Sequence, residues 1–159
     1  MVGIGAELNG DDAAGVMVAR RLRPLVSDLE DVLVLEGGSV PESIIGPLRR
    51  FSANLVVLVD AADFSVEPGS IRWIDQDQIG GSTFSTHSVP LSVLCQFMEH
   101  EIGCEVQILG IQPESIDFDK ALSVPCKRAV NQIVKEFKQL LCVNDRGLNT
   151  QLVPDESAS

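Results

Sequence analysis

The feature that most limits what this chain can fold into is a series of short, unbroken apolar blocks separated by stretches with helical period. Residues 32–35, 55–59 and 106–111 are rich in Val, Ile and Leu and lack polar alternation. A strand with one wet face alternates; blocks like these belong to strands buried on both faces, as in a parallel sheet covered by helices. Between them, 13 to about 23, 41–51, 90–102 and 125–141 carry helical spacing. In the last, Val130, Ile133, Val134, Phe137, Leu140 and Leu141 fall on one stripe. Pro24 should end or kink the first helix, because it lacks an N–H and clashes with the preceding turn. Pro41, Pro90 and Pro125 instead sit where helices begin and no N–H is needed. Residues 70–75, with Ile71 and Trp73, read as an edge strand. Strand and helix in turn, joined by right-handed crossovers, predict a three-layer α/β/α sandwich whose mostly parallel sheet has about five strands. Ligand chemistry in such a fold belongs at the C-terminal ends of the strands.

A chain of 159 residues with 45% hydrophobic content suits one domain. Periodicity runs to about residue 142, so 1–142 is expected to be that domain and 143–159 a polar, solvated tail. A formal charge of -11, from 12 basic and 23 acidic residues, opposes binding to nucleic-acid phosphates or anionic lipid. There is no run of roughly 20 apolar residues and no basic signal start, so a cytoplasmic protein without membrane insertion is expected. Cys95, Cys104, Cys126 and Cys142 form no C-x-x-C pair, and three lie inside apolar patterns typical of buried thiols.

Three polar stations fall at the expected C-terminal edge of the sheet. Asn9-Gly10-Asp11-Asp12 lies between the first strand and the first helix, where one aspartate can cap the helix while the other faces outward. Asp60 directly follows an apolar strand, and His87 stands in the turn ahead of the helix near Pro90. Two carboxylates and an imidazole suit a divalent ion such as nickel or zinc, with coordination positions left open for substrate. Each has an ordinary alternative: Asp11 is expected to be only a cap, and an aspartate after a strand often starts a turn, as Asp63 should. His100, near the end of its helix, is expected to complement the dipole there. The convergence of Asp12, Asp60 and His87 on one edge is what favours a site.

Gly3-Ile4-Gly5-Ala6-Glu7-Leu8 starts like a dinucleotide fingerprint, but Leu8 replaces the third glycine and the acids beyond it would repel a pyrophosphate. A receiver-like phospho-acceptor also uses an acidic pair and an aspartate after strand three, yet here Ile111 leads into Gln112-Pro113 with no lysine. The G-x-S-x-G of serine hydrolases is absent.

The ordered motifs resemble those of the hydrogenase maturation endopeptidases, most of all the branch serving the hydrogenase of formate-hydrogenlyase type. Gly3-Ile4-Gly5-Ala6-Glu7-Leu8-Asn9-Gly10-Asp11-Asp12 is similar to the family's opening G-x-G-N-x-x-x-x-D-[DE], with Ala6 in place of the asparagine. Gly37-Gly38-Ser39-Val40-Pro41-Glu42, Val59-Asp60-Ala61, Ser85-Thr86-His87-Ser88-Val89-Pro90-Leu91 and Gly110-Ile111-Gln112-Pro113 supply the others. The resemblance implies a hydrolase, a metal-dependent endopeptidase of aspartyl type. It would remove the C-terminal extension of a [NiFe]-hydrogenase large-subunit precursor already loaded with nickel. Asp12, Asp60 and His87 are then the metal-contacting and catalytic residues, with nickel supplied by the precursor and no cofactor beyond it. A nickel-sensing chaperone that holds the precursor without cutting it would use the same ligands. The loss of the asparagine at Ala6 implies that a hydrogen bond orienting the first loop is missing.

Overall fold

The computed structural model describes residues 1–39, 41–75 and 90–148, with the backbone alone for 41–42 and 143–148. Five strands form one sheet: β1 (Val2–Ile4), β2 (Leu35–Gly38), β3 (Leu55–Ala61), β4 (Ile71–Ile74) and β5 (Glu105–Ile111). Their spatial order is β2-β1-β3-β5-β4. The first four in that row are mutually parallel, and β4 closes one edge antiparallel to β5. Four helices cover the sheet: α1 (Ala14–Leu22), α2 (Ile45–Phe51), α3 (Leu91–Ile102) and α4 (Val124–Leu148). The expected three-layer α/β sandwich is the observed fold.

Side chains alternate across β3 and sort the core into two halves, as the two-residue period of a strand requires. Val56 and Leu58 pack with Leu48 of α2 and with Leu91, Leu94, Cys95 and Met98 of α3. Val57 and Val59 pack with Ala14, Val18 and Leu22 of α1 and with Val130 and Ile133 of α4. The apolar stripe read on the last helix therefore faces the sheet through its N-terminal half, whereas Leu140 is exposed.

The prolines act as expected. Helix α1 ends at Leu22 and tightens into a 3-10 turn, Arg23–Leu25, around Pro24. Pro90 occupies the N-cap position of α3, and Pro125 lies in the first turn of α4. Two boundaries differ from the sequence reading. The block at 32–35 is not itself the strand: β2 runs from Leu35 to Gly38, because its ladder partners on β1 start at Val2, opposite Leu35. Val32, Leu33 and Val34 contribute apolar burial rather than pairing. At the other end, α4 continues to Leu148, past the point where apolar periodicity stops. Val143-Asn144-Asp145-Arg146 contains no proline or glycine, so nothing local interrupts the hydrogen-bond ladder before Gly147.

Candidate active site at the C-terminal rim of the sheet

The loop after β1 is shaped by two glycines. Gly5 has φ +132°, and a Cβ there would lie 1.7 Å from the carbonyl oxygen of Asp12. Only glycine allows the 3-10 turn Gly10–Ala13 to fold back onto the strand end. Gly15, one residue into α1, sits directly on the sheet: a Cβ on it would lie 2.0 Å from the Val59 carbonyl oxygen and 2.4 Å from that of Ile4. The G-x-G spacing and Gly15 therefore serve close backbone packing, not a nucleotide. They bring Asp12 to the rim at the end of β1, beside the end of β3 where Asp60 stands.

Asp12 is buried. Its Oδ2 accepts the backbone N–H of Ala6 at 2.8 Å, while its Oδ1 is buried with no hydrogen-bond partner among the described residues. A buried carboxylate oxygen without a donor is costly, so such an atom calls for an explanation. The donor to Oδ2 is a main-chain group, so the loop stays oriented despite Ala6. Asn9 N–H to the Ala6 carbonyl, Asp12 N–H to the Asn9 carbonyl and Gly5 N–H to the Gly38 carbonyl complete its frame.

Asp60 is fully buried, and its Oδ1 accepts the N–H of Ala61 at 2.8 Å. Strand alternation sets its side chain on the same side as Val56 and Leu58, the side covered by α3. His87 precedes that helix in sequence and lies outside the described residues. Asp12 and Asp60 are thus brought to neighbouring strand ends. Among the described residues no cluster of three or more His, Cys, Asp or Glu side chains forms a metal site by itself.

Asp11 is not the helix cap expected of it, since no side-chain bond caps either the turn or α1. Its carboxylate instead accepts N–H groups from Glu114 at 2.8 Å, Ser115 at 3.4 Å and Ser123 at 2.6 Å, tying the β5–α4 connection to the first loop. Burial works against its ionisation, but the bonds from Ser123 and Glu114 outweigh that and hold it below the usual carboxylate range. Gln112 is a second residue whose task the sequence did not disclose. Its Oε1 accepts the N–H of Phe64 at 2.6 Å, and its Nε2 donates to Asp63 Oδ1 at 3.1 Å. The chain leaving β3 just beyond Asp60 is held in place by these bonds. The signal available was a single polar residue following the apolar strand β5. Asp63 does begin a turn, accepting the N–H of Ser65, and His100 lies exposed in the last turn of α3 beside Glu101.

A three-layer α/β protein with buried carboxylates at adjacent strand ends carries its candidate site on the sheet rim. The model of the family HycI, hydrogenase maturation protease, matches residues 16–140. The Hydrogenase 3 maturation protease of Escherichia coli K12 is 34% identical over 136 residues, 85% of this chain and 85% of that one. The crystal structure of a [NiFe] hydrogenase maturation protease HycI from Thermococcus kodakarensis KOD1 is 35% identical, with a TM-score of 0.80 over 88% of this chain and 89% of that one. The maturating endopeptidase HybD of E. coli, 18% identical with a TM-score of 0.66, shares the fold over 90% of this chain and 91% of its own. The chain belongs to the hydrogenase maturation protease family and is a hydrolase, a protease of hydrogenase maturation. That membership, together with the antiparallel β4, sets aside the receiver-like reading. No helix among the described residues is long and apolar enough to cross a membrane.

Proposed function

We propose that this protease removes the C-terminal extension of a [NiFe]-hydrogenase large-subunit precursor that already carries nickel, and that Asp12, Asp60 and His87 contact that nickel. The observation that carries the reading is Asp12 Oδ1, a buried carboxylate oxygen with no donor among the described residues, at the rim where substrate would arrive. A cation offsets the cost of leaving it bare better than a hydrogen-bond donor would, because it answers the charge itself. Oxygen donors from two carboxylates and one imidazole nitrogen fit a borderline divalent ion and leave positions for the precursor's own ligands. Nickel enters as part of the substrate; it supplies a positive charge that polarises the scissile carbonyl or acidifies an attacking water. Asp12, anchored through Oδ2 to Ala6, keeps Oδ1 at a fixed place for that cation. Asp60, whose Oδ1 accepts the Ala61 N–H at the neighbouring strand end, or Asp12 itself would take the proton released by water. A precursor without nickel would leave the arrangement incomplete, so cutting waits for metal insertion. Such a protein works in the cytoplasm, where precursors are assembled.

The test is a mass measurement on the precursor after incubation with and without nickel. Wild type should shorten only the loaded form. Asp12→Ala, Asp60→Ala and His87→Ala should each lower the rate by about a hundredfold to a thousandfold, as expected when a charge-stabilising group is lost. Normal trimming by His87→Ala would remove that residue from the site. An unchanged precursor mass alongside stable, nickel-dependent association with wild type would favour the non-cutting chaperone instead.

A further inference from the structure

The loop from β5 to α4 does more than connect. Asp11 grips it at Glu114, Ser115 and Ser123, the Asp11 N–H donates to the Ser115 carbonyl, and the Asp119 N–H donates to Leu8 at 2.7 Å. A parallel bridge between Asn9 and Lys120 completes the seam. Two loops that would otherwise move separately are therefore one unit, and Asp12 stands on it next to Asp11. This unit displays three large apolar side chains to solvent: Leu8 at 63%, Ile116 at 50% and Phe118 at 72% exposure. Exposed apolar residues scattered singly need no explanation; three on a backbone-stitched lip beside an active-site rim do. The lip also carries Glu114, Asp117 and Asp119 against one amine, Lys120, and Lys120 is paired with Asp117 at 2.7 Å. Its field is acidic.

We propose that Leu8, Ile116 and Phe118 form the docking lip for the arm of the precursor that is cut away, and that this arm is apolar with basic residues. The assignment rests on the protease reading above and adds what the nickel contacts cannot give: a grip on polypeptide beyond the metal. Leu8 lies four positions before Asp12 on the same stitched loop, so a chain seated on the lip passes beside Asp12. The apolar side chains supply contact area, and the surplus carboxylates choose a basic segment over an acidic one. Because Asp11 fixes the lip beforehand, little ordering is left to occur on binding.

The probe is the nickel-loaded large-subunit precursor, whose trimming rate and binding to the protease are both measured. Ile116→Ser/Phe118→Ser should raise KM and Kd at least about tenfold, the loss expected when an aromatic and an aliphatic contact, each only partly buried by the bound arm, are removed. The kcat should stay within about twofold, and Tm should hold, since both side chains are exposed. Leu140→Ser, an equally exposed residue on α4, should change none of these. Glu114→Lys/Asp119→Lys should also raise KM and weaken the dependence of wild-type binding on salt. Unchanged Kd and KM in the double serine variant would overturn the proposal. So would a wild-type dimer that this variant turns into a monomer, which would give the lip to a second copy of the chain. If wild type binds the precursor through the lip yet never shortens it, the docking surface stands and the protease reading alone fails.

Discussion

The two faces of the sheet are built by different means. On the α1 side, where that helix begins, backbone lies on backbone: the positions of would-be Cβ atoms on Gly3 and Gly15 are 2.0 Å from carbonyl oxygens, of Gly15 and Val59 respectively. On the α3 side, whole side chains intervene, with Leu91, Leu94, Cys95 and Met98 filling the gap to Val56, Leu58 and Ile108. The first arrangement is stiff, since no rotamer can change to absorb a displacement; the second can repack. Asp12 belongs to the stiff side, one turn ahead of α1, whereas α3, to which the His87 segment leads, rests on the adaptable side. A rim with one immovable carboxylate and an adjustable opposite wall would suit the proposed reading, in which a metal arrives within the substrate.

The sharpest way to break this contrast is Gly15→Ala. The added methyl meets two main-chain oxygens, so α1 must lift from β1 and β3, at a cost of about 3 kcal/mol. Urea unfolding should show that loss, and trimming should fall at temperatures where the variant is still folded, because Asp12 moves with the helix. Full activity in a folded Gly15→Ala protein would mean that the α1 side is not what positions Asp12. The opposite face should behave differently. Met98→Ala empties a fully buried site, yet the side chains around it can change rotamer and close in, so the cost should be about 2 kcal/mol, at the low end for such a truncation. Trimming by the folded Met98→Ala fraction should remain near wild type. If the two variants lose activity in equal proportion to stability, the difference between the faces has no functional meaning.

Much of the stiff side was legible in the sequence and little of its reason was. The apolar runs at 55–59 and 106–111 identify β3 and β5 because a strand buried on both faces has nothing else to be made of. Residues 70–75 read as an edge strand because Ile71 and Trp73 favour extended backbone in a stretch without the continuous apolar run of a central strand. Asp12 and Asp60 stood out through their places after strands. What could not be read was the long-range work of Asp11 and Gln112, whose partners lie more than forty residues away. An aspartate before a helix looks like a local cap whatever it does, since the local bond is the nearer possibility. The shift of β2 was hidden for the same reason: apolar content marks burial, while strand limits depend on what the neighbouring strand offers.

The smallest effect, and the one that probes the comparison without altering stability, comes from the cysteines. Cys95 and Cys104 lie on the α3 side, Cys126 on the α1–α4 side, and Cys142 is half-buried near the end of α4. Burial, aided by the charge of Glu99, pushes the Cys95 thiol up to about 12, and burial likewise lifts Cys126 to about 11. Thiolate is the reactive form, so in the native protein at pH 8 a disulfide reagent should modify Cys142 and spare the other three. Adding urea below the unfolding midpoint exposes whatever opens locally first. An adaptable α3 face should then release Cys95 and Cys104 to the reagent before Cys126, whose helix packs against α1 on the stiff side. Peptide mapping of the labelled sites gives the order, and labelling of Cys126 ahead of Cys95 would reverse the assignment of stiffness between the two faces.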